Sequence, residues 1–142
     1  MLAVSTSRWK TGGKRTEQVG SNERRRILVV EDDADLRSAL EMLLMDDGFE
    51  VVSAEHGGVA LRILERSRPD AILLDLNMPV MDGETFAHRF RDRYGSDVPI
   101  VIYTATPKPR IAERIGNARV LRKPVELDDL LSVLHSTTSI GS

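Results

Sequence analysis

The sequence contains no cysteine among its 142 residues, so it forms no disulfide framework, thiolate metal site or cysteine nucleophile. It also has no apolar run near the roughly 20 residues that span a bilayer. Polar residues and Arg8 follow the first four residues at once, so the apolar core of a signal peptide is missing. Neither a P-loop nor a Gly-x-Gly-x-x-Gly pattern occurs, which argues against nucleotide binding. These absences predict a cytoplasmic protein without a membrane span.

The composition that is present fits one compact globular domain, with 41% hydrophobic and 30% charged residues. Charge is divided unevenly along the chain. Residues 1–26 carry seven Lys/Arg and two Glu, whereas residues 27–142 carry thirteen Lys/Arg and twenty Asp/Glu. A domain with this acidic balance is not expected to bind nucleic acid.

Three segments follow from the pattern along the chain. Residues 1–25 are predicted to form a disordered basic arm, because they have several Gly and Ser and no apolar periodicity. Residues 26–136 are predicted to form the folded domain, and residues 137–142 a frayed tail. The basic run Arg24–Arg26 is open to two interpretations, a contact with an anionic partner or a solvated linker.

Short apolar runs alternate with amphipathic segments across the folded domain. The runs predict strands over 27–30, 49–54, 71–74, 98–103 and 118–121, and the segments between and after them predict helices, the fourth of them short. Five such units require a parallel sheet covered on both faces and are too few for an eight-stranded barrel. The sequence therefore predicts an α/β fold with an open, doubly wound, five-stranded parallel sheet, whose ligand crevice lies at the carboxyl ends of the strands.

Charged and polar residues stand at four of these strand ends. Glu31 and Asp32 follow the first strand, Asp75 the third, Thr104 the fourth and Lys123 the fifth. Carboxylates a few ångströms apart repel by several kcal/mol, so a cation, raised pKa values or the lysine must offset the cost. An oxygen-rich cluster without His or Cys favours Mg²⁺. A solvated acidic loop is the alternative for the first acidic group taken alone.

This set of residues suits phosphoryl transfer. Asp75, at the tip of a buried strand, could attack phosphorus as a carboxylate nucleophile. Lys123 would place a second positive charge on the phosphoryl group, and Thr104 would donate a hydrogen bond to it. The product, an aspartyl phosphate, would act as a charge switch.

The residues that carry this chemistry also carry a family resemblance. The chain resembles the receiver domains of two-component response regulators from about Arg26 to His135. The motifs are Ile27-Leu-Val-Val-Glu-Asp-Asp33, Pro69-Asp-Ala-Ile-Leu-Leu-Asp-Leu-Asn-Met-Pro79 with Met81-Asp-Gly83, Thr104-Ala105 and Lys123-Pro124. The resemblance implies the flavodoxin-like (βα)5 arrangement, as in the stand-alone chemotaxis regulators.

The resemblance also implies a role for each residue. Asp75 is the expected phosphoacceptor, Thr104 the switch hydroxyl and Lys123 the lysine that pairs with the phosphoryl group. The expected Mg²⁺ ligands are Glu31, Asp32, Asp75 and the backbone carbonyl of Asn77, with Asp32 direct and Glu31 acting through water. The implied donor is a histidine kinase or a histidine phosphotransfer protein, and the implied output is contact with a downstream protein.

Two features depart from the family pattern. Val120 stands where the family has an aromatic residue that moves with the threonine, so that coupling is not expected in its usual form. Pro107 and Pro109 predict a short or displaced fourth helix. The output surface and the mode of a possible dimer are therefore left open.

Four functional interpretations remain from the sequence. The favoured one is a stand-alone receiver that modifies only itself and is not otherwise an enzyme, since few residues follow the last helix. A receiver fragment of a hybrid histidine kinase is a close variant. An aspartate-nucleophile phosphatase would need an Asp where Asn77 stands, and a pure interaction module would not need Asp75 and Lys123.

Overall fold

Five strands alternate with five helices in a computed structural model that describes residues 24–139. In chain order they are β1 (Arg26–Val30), α1 (Ala34–Asp46), β2 (Glu50–Ala54), α2 (Gly57–Leu64), β3 (Ala71–Asp75), α3 (Gly83–Tyr94), β4 (Ile100–Thr104), α4 (Ile111–Ile115), β5 (Ala118–Arg122) and α5 (Leu127–Thr137). The predicted alternation is confirmed. The main difference is that β4 starts at Ile100, two residues later than predicted.

The strands form one parallel sheet in the order β2-β1-β3-β4-β5. Strand order therefore reverses between β1 and β3, which is the position where open α/β sheets place their ligand crevice. In the register, Val30 pairs with Leu74 and Asp75 pairs with Tyr103, so the carboxyl ends of these strands lie level.

Two apolar clusters cover the two faces of the sheet. One face packs against α1 and α5 through side chains such as Leu40, Leu44 and Leu134. The other packs against α2, α3 and α4 through side chains such as Phe86 and Ile111. Because successive strand residues point to opposite faces, each strand contributes alternately to the two clusters.

The helix α4 is short, as the two prolines predicted. It has five residues and begins after Arg110, whose φ of 58° lies in the left-handed region. Glu84 on α3 holds it in place, because Arg114 donates to both carboxylate oxygens of Glu84 at 3.0 and 3.2 Å and Lys108 lies 3.5 Å away. The Arg114 hydrogen bonds lower the pKa of Glu84 to about 2.

A second contact between distant segments centres on Arg91 of α3. Its guanidinium donates to backbone carbonyl oxygens in the loops before β4 and before β5, at distances from 2.8 to 3.3 Å. The acceptors are Ile115, Gly116, Asn117, Gly95 and Val98. One side chain therefore donates to carbonyl groups of two separate loops and joins them to α3.

The described residues reach slightly into the segments predicted as arm and tail. The Arg25 carbonyl accepts a hydrogen bond from Glu50 N at 2.9 Å, and its side chain donates to the Thr138 carbonyl at 2.7 Å. Thr138 is buried at the end of α5. Residues 1–23 and 140–142, which hold most of both segments, lie outside the described residues. Among the helices within 24–139, none has the length and apolar character needed to cross a bilayer.

Candidate functional site

The parallel register brings charged residues from three strand ends to one face of the sheet. Val29 and Leu73 belong to the apolar cluster against α1 and α5, and Glu31 and Asp75 stand two residues further along the same strands. Because side chains alternate with period two, both carboxylates extend that face beyond the core. Leu121 packs on the same cluster, so Lys123 arrives there in the same way.

Three of the four predicted metal-binding residues place carboxylate oxygens together. One oxygen from each of Glu31, Asp32 and Asp75 lies within 4.8 Å of the others. Glu31 and Asp75 are buried, with 1% and 4% of their surface exposed, whereas Asp32 faces solvent. Burial raises the pKa of Glu31 and of Asp75, because a carboxylate loses hydration there.

The donor set fits a small divalent cation. Mg²⁺ binds oxygen ligands octahedrally at about 2.0–2.1 Å, which places ligand oxygens about 2.9 Å apart when adjacent and about 4.1 Å apart when opposite. The carboxylate cluster supplies oxygen donors only, and one of its members opens to solvent, so water could complete the coordination. A positive ion would also remove the repulsion between two buried carboxylates.

Asp75 is held by its own loop and by the lysine. Its Oδ1 accepts a hydrogen bond from Asn77 N at 3.2 Å and lies 3.6 Å from Lys123 Nζ. The Asn77 residue itself is exposed, on the loop that leaves β3. Lys123 is fixed through its backbone, since its N–H donates to the Thr104 carbonyl at 2.9 Å, and a cis peptide joins it to Pro124.

Thr104 ends β4 and is fully buried. Its Oγ1 accepts a hydrogen bond from Thr106 N at 3.3 Å. It alternates with Ile102, so it belongs to the face opposite Glu31 and Asp75, where the half-buried Val120 also packs. An aliphatic side chain therefore occupies the position of the aromatic residue expected from the family pattern.

Gly83 brings the start of α3 against the end of β3. Its N–H donates to the Leu76 carbonyl at 2.9 Å. A Cβ on Gly83 would lie 2.5 Å from the Asp75 carbonyl oxygen and 2.7 Å from Leu76 Cα. Only glycine allows this approach of two backbone segments, so Gly83 sets the path of the loop that carries Asp75 and Asn77.

Tyr103 belongs to the site although no sequence motif pointed to it. Its hydroxyl donates a hydrogen bond to Glu31 Oε1, and its ring centroid lies 4.7 Å from Lys123 Nζ. Burial is the main cause that raises the pKa of Tyr103, and the bond to Glu31 adds to it. In the sequence, Tyr103 stands two residues after Val101, which places both side chains on one face of the strand. This places Tyr103 beside the acidic residues only when the pairing of β4 with β3 is known.

The match of the sequence to a known protein family agrees with this geometry. The model of the response regulator receiver domain matches residues 27–135. The chain belongs to this family. The resemblance inferred from the motifs and the predicted (βα)5 fold are both confirmed, and the family does not favour the alternative of an aspartate-nucleophile phosphatase.

Individual relatives agree with this assignment. The receiver domain is 38% identical to the transcriptional regulatory protein PrrA of Mycobacterium tuberculosis over 112 residues, which cover 75% of this chain and 47% of PrrA. It is 32% identical, with a TM-score of 0.73, to the receiver domain of the sensor histidine kinase PA1611 from Pseudomonas aeruginosa, solved with magnesium in its active site cleft. That match covers 81% of this chain and 98% of the other.

A third relative is the response regulator TrrA of Thermotoga maritima, solved in complex with Mg²⁺ and BeF. The receiver domain is 27% identical to it, with a TM-score of 0.72, and the match covers 80% of this chain and 98% of TrrA. The chain spans about half the length of the curated relatives it matches, PrrA among them. The curated relatives are regulators, which favours a response regulator over a fragment of a hybrid kinase.

Proposed function

We propose that Asp75 accepts a phosphoryl group from a phosphohistidine and that this modification is the signal of the receiver domain. The observation that supports the proposal is the position of Asp75, a buried carboxylate 3.6 Å from the Lys123 ammonium and beside the carboxylates of Glu31 and Asp32. A rigid strand end holds the nucleophile, and positive charge faces it.

Mg²⁺ is the cation proposed for the acidic cluster. Asp32 and Asp75 would bind it directly, Glu31 through water, and the backbone carbonyl of Asn77 would complete the protein ligands. When bound, the ion supplies positive charge that neutralises the carboxylates and the phosphoryl oxygens. The magnesium in the cleft of the PA1611 receiver supports this choice.

The proposed transfer step conserves bonds and charge. A carboxylate oxygen of Asp75 forms a bond to phosphorus, the bond from phosphorus to the donor histidine nitrogen breaks, and that nitrogen keeps the electron pair. Because Asn77 and Lys123 both contact Oδ1, the new bond forms at Oδ2. Lys123 then faces the phosphoryl oxygens. Thr104 follows the residue that pairs with Asp75, so its hydroxyl turns over the end of β4 to donate a hydrogen bond to one of them.

The donor is proposed to be a histidine kinase or a histidine phosphotransfer protein, and the output a contact with a downstream protein, with or without a dimer. Chemistry is confined to the chain's own aspartate, and the domain itself does not bind nucleic acid, as its acidic balance suggests. Residues 26–136 form the working unit in this proposal, located in the cytoplasm, with the basic residues 1–25 outside it.

The test uses a small phosphodonor. Acetyl phosphate with Mg²⁺ should add one phosphoryl group to the full chain, read by intact-protein mass spectrometry. Asp75→Asn should abolish the addition, and Asp92→Asn, which changes an exposed aspartate on α3, should leave it unchanged. Chelation of Mg²⁺ should prevent labelling of the wild type. Equal labelling of wild type and Asp75→Asn contradicts the assignment, and multiple-turnover release from an aryl phosphate would indicate a phosphatase instead.

A further inference from the structure

Tyr103 contacts both charged halves of the site from within the sheet. It is 5% exposed, it is the second-last residue of β4, and it pairs in register with Asp75. Its hydroxyl donates to Glu31 Oε1, while the backbone N–H of Asp33 donates to Glu31 Oε2 at 2.9 Å. Each oxygen of this buried carboxylate therefore has one protein donor, which fixes the plane of the carboxylate.

The ring of the same residue lies beneath the lysine. Lys123 Nζ is 4.7 Å from the ring centroid and 3.6 Å from Asp75 Oδ1. An ammonium is attracted to the face of an aromatic ring at this distance. The ring therefore restricts where a long, flexible side chain can place its charge, and it favours positions over the phosphoacceptor.

Packing alone does not require a tyrosine here. Apart from Phe49, the cluster that contains it is built from aliphatic side chains such as Val101 and Leu73, and a leucine would continue that pattern. A phenolic hydroxyl at a buried strand end is costly unless it is hydrogen-bonded. The hydroxyl bonds to the Glu31 carboxylate, so its presence is explained by the acidic cluster and not by the core.

We propose that Tyr103 is a positioning residue of the phosphoryl-transfer site, whose hydroxyl orients Glu31 toward the cation and whose ring holds Lys123 over Asp75. The inference rests on the proposed function and adds to it a link between the metal-binding half and the phosphoryl-binding half. The hydroxyl contacts Glu31 and the ring contacts Lys123. Substitutions can therefore remove the two contacts separately.

Tyr103→Phe keeps the ring and removes the hydroxyl. The lost hydrogen bond is one to a charged carboxylate, that of Glu31. Its loss should weaken Mg²⁺ binding about tenfold. The rate of phosphorylation by acetyl phosphate at saturating Mg²⁺ should stay within about twofold of the wild type, because the ring that Lys123 contacts is still present. Tyr103→Leu removes both groups, so it should weaken Mg²⁺ binding equally and also lower that saturated rate about tenfold.

Mg²⁺ affinity is measured by calorimetry on the unphosphorylated full chain, well below the melting temperature of every variant. Tyr94→Phe is the matched control, since it removes the hydroxyl of the other buried tyrosine, in the opposite cluster, and should change neither readout. Unchanged Mg²⁺ affinity in Tyr103→Phe, or equal saturated rates in the Phe and Leu variants, would overturn the corresponding half of the inference. A wild type that binds no Mg²⁺ would overturn the proposed function itself.

Discussion

Replacing Gly83 by alanine should damage the site without touching any charged group. The new Cβ would lie 2.5 Å from the Asp75 carbonyl oxygen, whereas ordinary contact begins at 3.4 Å. The two backbone segments must therefore separate by about 0.9 Å, and overpacking of this kind costs about 1–3 kcal/mol of folding free energy. The shift falls on Asp75, the residue proposed as the phosphoacceptor.

The effect on function should exceed the effect on stability. A displacement of about 1 Å at a reacting group can lower a rate about 100-fold. We therefore expect Gly83→Ala to remain folded, with a reduced urea midpoint, and to accept phosphate from acetyl phosphate about 10- to 100-fold more slowly than the wild type. Mass spectrometry over a time course measures the rate, and circular dichroism measures unfolding.

Gly58→Ala provides the matched control. Its added Cβ would meet only the His56 ring, at 3.1 Å, and a side chain can yield where a backbone cannot. This variant should label at the wild-type rate. If Gly83→Ala also labels at the wild-type rate, Gly83 does not set the position of Asp75.

Two further predictions concern the contacts around α4. Arg91→Met removes the side chain that donates to carbonyl groups of two loops and should lower the free energy of unfolding by about 2–4 kcal/mol in urea titrations, while Arg89→Met at an exposed neighbouring position should not. The pKa of Glu84 is lowered from 4.5 to about 2 in the folded protein. Its ionised form therefore stabilises the fold above pH 4.5, and this stabilisation is lost as the pH falls toward 2. The stability difference between wild type and Glu84→Gln should therefore shrink over that range; a constant difference would contradict it.

The elements and the acidic site could be predicted because their signals are local. Each strand is a short apolar run that ends in a polar residue, such as Val30 before Glu31 or Leu74 before Asp75, and parallel strands bring such ends to one edge. The short α4 is also a local effect, because the prolines at 107 and 109 exclude a helix interior from the segment before it.

Contacts between distant residues could not be predicted in the same way. Tyr103 reaches Glu31 across 72 positions, and Arg25 reaches Thr138 across 113. Such pairs depend on strand register and on where a helix ends, and composition or periodicity does not determine either. The sequence thus predicted that the acidic groups of separate strands lie together, and the register was needed to find the residues that contact them.

The site and α4 depend on different kinds of interaction. Glu31 and Asp75 extend directly from strands whose backbone hydrogen bonds continue through the sheet, so their relative positions are tied to the most buried part of the domain. The helix α4 has one turn and a half, it buries Ile111 and Ile115 in the other apolar cluster, and Arg114 and Lys108 join it to Glu84 of α3. Exposed ion pairs of this type contribute about 0–1 kcal/mol each. A change at Thr104 that moved α4 would therefore have to expose Ile111 and Ile115 as well as break these ion pairs, and the apolar burial is the larger contribution.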